Sequence, residues 1–414
     1  MDQLRRRLGV PDAVVIGLGS MLGAGVFVVF APAAAAAGGA GLLLALALAG
    51  FIAWCNATSS ARLAARYPES GGTYVYGRER LHPFAGFVAG WGFVVGKTAS
   101  CAAMALTIGA YLWPGRARLV AVAAVVAVTA TNVRGIGKTA AATRALVGLV
   151  LAVLALVAVT GAPDVAPDRL DGLDGAGIRG VLTAAGLLFF AFAGYARIAT
   201  LGEEVREPER TIPRAVPLAL GVVLAIYLVL AVVALGVLGA DRLAASAAPL
   251  ADVVTAAGLP GLAWLVRAGA TVAVTGVLLS LLAGVGRTTL AMARRRDLPG
   301  TLAAVHPRYR VPHRAELAVA AVVIVVVALG DVRGAIGFSS CTVLVYYAIT
   351  NASALTLGRD PTRKLPAQVL AALGLVGCLV LAVSLPPASV LAGFGVLALG
   401  AAWYAIRHPV AAGR

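Results

Sequence analysis

The 414-residue chain is 60% hydrophobic and only 13% charged, with a mean hydropathy of +0.93. A soluble domain averages about 45–50% apolar and about 25% charged residues, and a globule of this size cannot hide so large an apolar excess. Disordered, collagen-like and disulfide-scaffold classes are excluded too, which leaves an all-α polytopic membrane protein. A net charge of +16 would point to nucleic acid on a soluble chain. Here the basic residues fill short gaps between apolar runs, so membrane lipid is the expected partner and nucleic acid is not.

Apolar runs near 12–37, 41–61, 83–112, 117–132, 144–162, 178–202, 214–239, 260–287, 315–330, 332–356, 366–384 and 388–406 predict twelve spans. The first run follows Arg5, Arg6 and Arg7 and is too long for the apolar core of a signal peptide. With the N-terminus cytoplasmic, 25 of the 34 Lys and Arg fall in inner segments and seven in outer ones. That asymmetry places both termini inside. Lys97 and Arg197 remain, each within an apolar run, where a charge needs a partner or an aqueous cavity. Cys55, Cys101, Cys341 and Cys378 lie in apolar stretches without metal or disulfide spacing and read as small buried hydrophobes.

The first span carries Gly17, Gly19, Gly23 and Gly25 within nine residues. Gly19 and Gly23 form a G-x-x-x-G, which can mean close helix packing. The same glycines also suit a helix that unwinds near Gly23-Ala24-Gly25 and turns free N–H groups toward an anionic substrate group. Both readings stand. The sixth span, Phe189-Phe190-Ala191-Phe192-Ala193-Gly194-Tyr195-Ala196-Arg197, also has glycine at mid-depth, five helices later. That spacing is expected of a five-plus-five inverted repeat with its site between two broken helices. In the third span Phe93, Lys97, Cys101 and Met104 share one helix face. Apolar sequence extends about 14 residues to either side of Lys97, about 20 Å, which is beyond a lysine's reach to water.

Three segments resemble permeases of the amino acid–polyamine–organocation superfamily over roughly residues 10–410. They are Gly19-Ser20-Met21-Leu22-Gly23-Ala24-Gly25-Val26-Phe27, Tyr67-Pro68-Glu69-Ser70-Gly71-Gly72-Thr73-Tyr74 leading to Pro83-Phe84-Ala85-Gly86-Phe87, and Phe190-Ala191-Phe192-Ala193-Gly194-Tyr195 with Glu203, Glu204 and Pro208. The resemblance implies a leucine-transporter-type fold: repeats over about 12–162 and 178–356, broken helices 1 and 6, and two extra helices over about 366–406. It implies that backbone at Ser20, Gly23, Ala24 and Gly25 receives a substrate carboxylate, with Met21 as a pocket wall. Carbonyls near Phe190, Ala193 and Gly194 would take the amino group, with Phe190 as an aromatic gate; packing is the other reading of Phe190. Phe93, Lys97 and Cys101 would line the side-chain end of the pocket. Many sodium-independent relatives carry a lysine in the fifth span and an acid after the sixth-span break, and this chain has neither.

These residues imply secondary active transport of a zwitterionic or acidic amino acid by alternating access, with no cofactor and no catalytic or metal site. Proton coupling through Lys97 is the first expectation, because none of the eighteen acids and four histidines falls at mid-membrane. Asp12, Glu203, Glu204 and Glu316 are placed at span ends. Arg197 is either a substrate ligand or half of a gate pair with Glu204, and Ser280 joins them as a coupling or gating candidate. An obligatory amino acid or polyamine exchanger is the alternative within the class; a solute sensor without transport is the alternative outside it. Orientation is directly testable on a cysteine-free background. Asp171→Cys is expected to react with an impermeant thiol reagent from outside, and Arg295→Cys only after permeabilisation; either residue on the wrong side breaks the twelve-span assignment.

Overall fold

Inside a bilayer the backbone has no water to bond, so each apolar run must satisfy its own amides, and helix is what the runs form. The computed structural model describes residues 8–67, 71–135, 140–170, 177–199, 201, 204–358 and 367–408. The first run is built of α1 (Val10–Met21), α2 (Ala24–Val28) and α3 (Phe30–Ala37), and Gly38, at φ 67°, turns the chain into α4 (Gly39–Arg66). A short α5 (Thr73–Arg80) precedes α6 (Pro83–Leu112), α7 (Ala117–Val133) and α8 (Ala140–Gly161). The sixth run is α9 (Gly177–Phe192), a tight turn over Ala193–Tyr195, and α10 (Ala196–Ala199). Then come α11 (Pro208–Ala245), the short α12 (Pro249–Ala256), α13 (Ala263–Arg294) and α14 (His313–Leu329). The last three are α15 (Val332–Leu355), α16 (Ala367–Ser384) and α17 (Pro387–Arg407).

Eleven helices among the described residues are long and apolar enough to cross a membrane, against twelve expected. The remaining expected run, near 315–330, is α14, whose 17 residues rise about 26 Å and only just match a hydrocarbon core. The expected boundaries are too short where helices leave the membrane. α11 starts at Pro208 rather than 214, and α13 continues past 287 to Arg294. Hydropathy marks only the apolar length, while the helical hydrogen-bond ladder continues through charged residues in water. Inside α11, Gly239 at φ 74° kinks the helix, and the nearby Gly236 carbonyl accepts from Ala166 N–H at 3.1 Å.

The two interrupted runs lie together. α1 packs on α8, α10 and α11, whereas α2 packs on α6, α9 and α13. α6 lies along α13 and α15, held to the latter by a Ser100–Ser339 hydroxyl pair at 2.7 Å. A buried amide pair, Asn351 Nδ2 donating to Asn56 Oδ1 at 2.6 Å, ties α15 to α4, and Cys378 of α16 donates to the same oxygen at 3.3 Å. All four cysteines are free and buried.

Beyond the end of α13, Asp297 gathers α5 and the end of α17. Its side chain accepts from Tyr74 Oη at 2.5 Å and Arg78 at 3.1 Å, with His408 Nε2 3.5 Å away, while its carbonyl accepts from Trp403 at 2.9 Å. Burial, then the bond to Asp297, pushes the Tyr74 phenol above its ordinary range. Asp297→Ala strands Arg78 and Tyr74, and a loss of about 3 kcal/mol is expected, read as a lowered melting temperature in detergent. An unchanged melting temperature would show that the hub contributes nothing.

Candidate functional site

α1 ends at Met21, Leu22 and Gly23 leave helical geometry, and α2 restarts at Ala24. The break is therefore real and lies one residue earlier than the sequence pattern suggests. Gly23 has φ −103°, which any residue adopts, so backbone conformation does not demand a glycine there. Close approach does. A Cβ on Gly23 would stand 2.9 Å from Val277 of α13, and one on Gly25 would stand 2.6 Å from Cα of Ala191 in α9. A Cβ on Gly194 would collide with the backbone of Ser20 and Met21. The two breaks thus rest on each other backbone to backbone. Gly19 faces Val147 of α8 and not α13, so Gly19 and Gly23 serve two neighbours rather than one packing seam.

A broken helix inside a membrane strands carbonyls, and each needs a donor. Tyrosines supply them. Tyr227 of α11 donates to Met21 O at 2.6 Å, and its oxygen stands 3.1 Å from Ala191 O, so one hydroxyl bridges both interrupted helices. Tyr347 of α15 donates to Ala193 O at 3.2 Å, and Tyr111 of α6 donates to Phe27 O at 2.7 Å. The sequence pattern missed all three. The available signal was a tyrosine deep in an apolar run, because a buried phenol usually finds an acceptor.

The other expected residues fall around this core. Ser20 turns its hydroxyl back to Ile16 O at 2.9 Å, and Met21 is buried. Phe190 is partly buried, on the last turn of α9. Phe93 meets Tyr346 at 5.5 Å between ring centroids, Tyr346 meets Tyr347 at 5.1 Å, and Tyr347 stacks on Tyr195 at 5.1 Å. Phe93 is in this way joined to the sixth-helix break through α15. Lys97 is 8% exposed, one turn from the fully buried Cys101, and among the described residues no carboxylate pairs with it. Ser280 lies on an exposed face of α13 with its hydroxyl donated to Gly276 O at 3.2 Å. Val277, not Ser280, is the α13 residue that packs on Gly23.

Arg197 and Glu204 come together at 3.7 Å, their side chains 46% and 39% exposed. An ion pair this wet is worth at most about 1 kcal/mol. Beside it, Leu8 N–H donates to Glu204 O at 3.2 Å and Arg206 N–H to Leu8 O at 2.9 Å, lashing the chain start to the segment between α10 and α11. Asp12 pairs with Arg144 of α8 at 2.6 Å. Glu203 and residues 68–70 lie outside the described residues. At the opposite face α12 packs on α2, and Asp252 of α12 stands 4.0 Å from Arg267 of α13. Among the described residues no group of His, Cys, Asp or Glu could hold a metal ion.

Residues 12–358 match the family described as amino acid permease. The chain is 63% identical over 409 residues to an uncharacterized transporter of Mycobacterium tuberculosis, covering 98% of this chain and 92% of that one. A methylthioribose transporter of Bacillus subtilis is 26% identical over 333 residues, 75% of this chain and 72% of its own. A branched-chain amino acid permease of the same organism is 25% identical over 334 residues, with the same coverage.

Tyr227→Phe removes one hydroxyl and leaves Met21 O and Ala191 O without it. A loss of about 1–3 kcal/mol in thermal unfolding is expected, larger than for an exposed Tyr→Phe change. A neutral result would mean that neither carbonyl depends on the phenol.

Proposed function

Since the chain belongs to the amino acid permease family, we propose that this membrane transporter moves an amino acid across the cytoplasmic membrane by alternating access, driven by a proton gradient. The observation that carries the reading is the backbone seat of Gly194 on Ser20 and Met21, beside the restart of helix at Ala24. Such a junction puts helix-start N–H groups next to unwound carbonyls, the two partners that a zwitterion's carboxylate and ammonium require. Phe190, Ala193 and Gly194 would line the ammonium end, and Ser20, Met21, Gly23, Ala24 and Gly25 the carboxylate end. Equivalent breaks in the first and sixth runs fit two inverted five-helix repeats, with α16 and α17 added.

Phe93, Lys97 and Cys101 would face the substrate side chain. A lysine without a carboxylate partner at this depth must release its proton or hold a mobile anion. We assign Lys97 the proton-loading role; a second cation, Arg197, adds to the repulsion that disfavours dibasic substrates and polyamines. The Arg197–Glu204 pair would close the cytoplasmic side. The relatives' substrates differ from one another, a methylthioribose in one and branched-chain amino acids in another, so neither transfers to this chain by name.

Counterflow of a labelled amino-acid panel in proteoliposomes tests the reading. Transport of a zwitterionic or acidic amino acid is expected, and a decarboxylated amine analogue should fail to compete. Gly25→Leu, which drives a side chain into Ala191, should abolish substrate binding in protein that still inserts. Lys97→Gln should lose accumulation driven by a pH gradient yet retain exchange. Unchanged affinity and unchanged pH dependence in Lys97→Gln would make the lysine structural.

A further inference from the structure

Where α13 meets the end of α17, arginines gather in excess of what the fold balances. α13 closes in a turn in which Arg296 N–H donates to Ala293 O at 3.1 Å and Asp297 N–H to Met292 O at 3.0 Å. The left-handed position of such a turn is usually glycine; here it is Arg296, at φ 65°. Arg294, Arg295 and Arg296 are consecutive and all exposed. Arg407 of α17, also exposed, joins them, its guanidinium donating to Arg296 O at 3.3 Å and lying 4.8 Å from the centre of the Trp403 ring. Arg295 and Arg78 each lie 5.5 Å from the centre of the Tyr74 ring.

The carboxylate amid these cations, Asp297, is 2% exposed and already holds Tyr74 and Arg78, with His408 beside it. Glu79 of α5 is exposed and, among the described residues, pairs with none of the arginines. The carbonyls at a helix end amount to only about half a negative charge. Among the described residues Arg294, Arg295, Arg296 and Arg407 are therefore left without a carboxylate, while a backbone bond holds Arg407 against Arg296.

The apolar surroundings say which anion fits. Leu399, Trp403 and Arg407 follow at four-residue spacing along α17 and so share a face. Leu399 is 69% exposed, Trp403 37% and Ile406 77%. On a membrane-spanning helix that face meets acyl chains, and tryptophan is the residue of headgroup depth. We propose that the junction of α13 and α17 binds an anionic phospholipid of the adjoining leaflet. Its phosphate sits among Arg295, Arg296 and Arg407, and an acyl chain lies along Trp403 and Leu399. The bound phosphodiester offsets the crowding of these cations and braces α17 on the end of α13. Such a site is independent of what the protein carries.

Thermal unfolding of the purified protein in detergent, titrated with phosphatidylglycerol, tests the site. A saturable rise in the unfolding midpoint is expected, absent with phosphatidylcholine of the same chains and with inorganic phosphate. Each arginine beside an anionic lipid contributes about fivefold in affinity, so Arg296→Gln/Arg407→Gln should weaken phosphatidylglycerol about thirtyfold. Arg308→Gln/Arg314→Gln, which removes two exposed arginines around the start of α14, should leave the affinity unchanged. No rise in wild type, an equal response to phosphatidylcholine, an unaffected Arg296/Arg407 variant, or an equal loss in the Arg308/Arg314 variant overturns the site. An equal response to inorganic phosphate overturns its assignment to lipid. If the Arg296/Arg407 variant does not fold, Arg295→Gln removes one charge and, among the described residues, no hydrogen bond. It should weaken phosphatidylglycerol about fivefold; an unchanged affinity overturns the site.

Discussion

Carbonyls released by a helix break in an apolar slab need donors carried in from other helices, and the packing around both breaks follows from that need. Tyr227, Tyr347 and Tyr111 come from α11, α15 and α6 and deliver their hydroxyls to Met21, Ala193 and Phe27. Each phenol also buries a large apolar ring, so the donor arrives without adding a charge at membrane depth. Phe192 and Phe27 pack on two of these rings, at 5.2 and 5.7 Å from Tyr227 and Tyr111. The three helices that carry the donors are thereby fixed in depth and rotation relative to the breaks.

Small residues do the complementary work. Where Gly25 meets Ala191 and Gly194 meets Ser20, the helices approach closely enough for backbone to touch backbone. Dispersion and hydrogen bonding, rather than burial from water, must hold such contacts inside lipid, and both fall off steeply with distance. The polar groups outside the breaks obey the same economy. Asn56 Oδ1 accepts from both Asn351 and Cys378 across three helices, and Asp297 collects its partners where the helices emerge.

Much of this architecture is written locally. Apolar run length gives the spans, and clustered glycines mark both breaks, because a helix interior tolerates glycine poorly unless something needs its small size. The ends of α11 and α13 are not written in hydropathy, since Glu209 and Arg294 are helical while standing outside the apolar length. The donors to the broken helices were illegible for a different reason. Tyr227 lies 206 residues from Met21, and no local pattern specifies that they meet. Glu316 stands at a span end, as its place in the run indicates. Its burial there was not legible, since only the glycine facing it on α13 reveals a slot.

The mutual seat of the two breaks also dictates where evolutionary variety can enter. At Gly25 and Gly194 any side chain at all displaces a neighbouring helix, so substitution there is closed. Variety is therefore channelled into helices that keep their regular ladder, such as α6, whose side chains stand off an unbroken helical backbone.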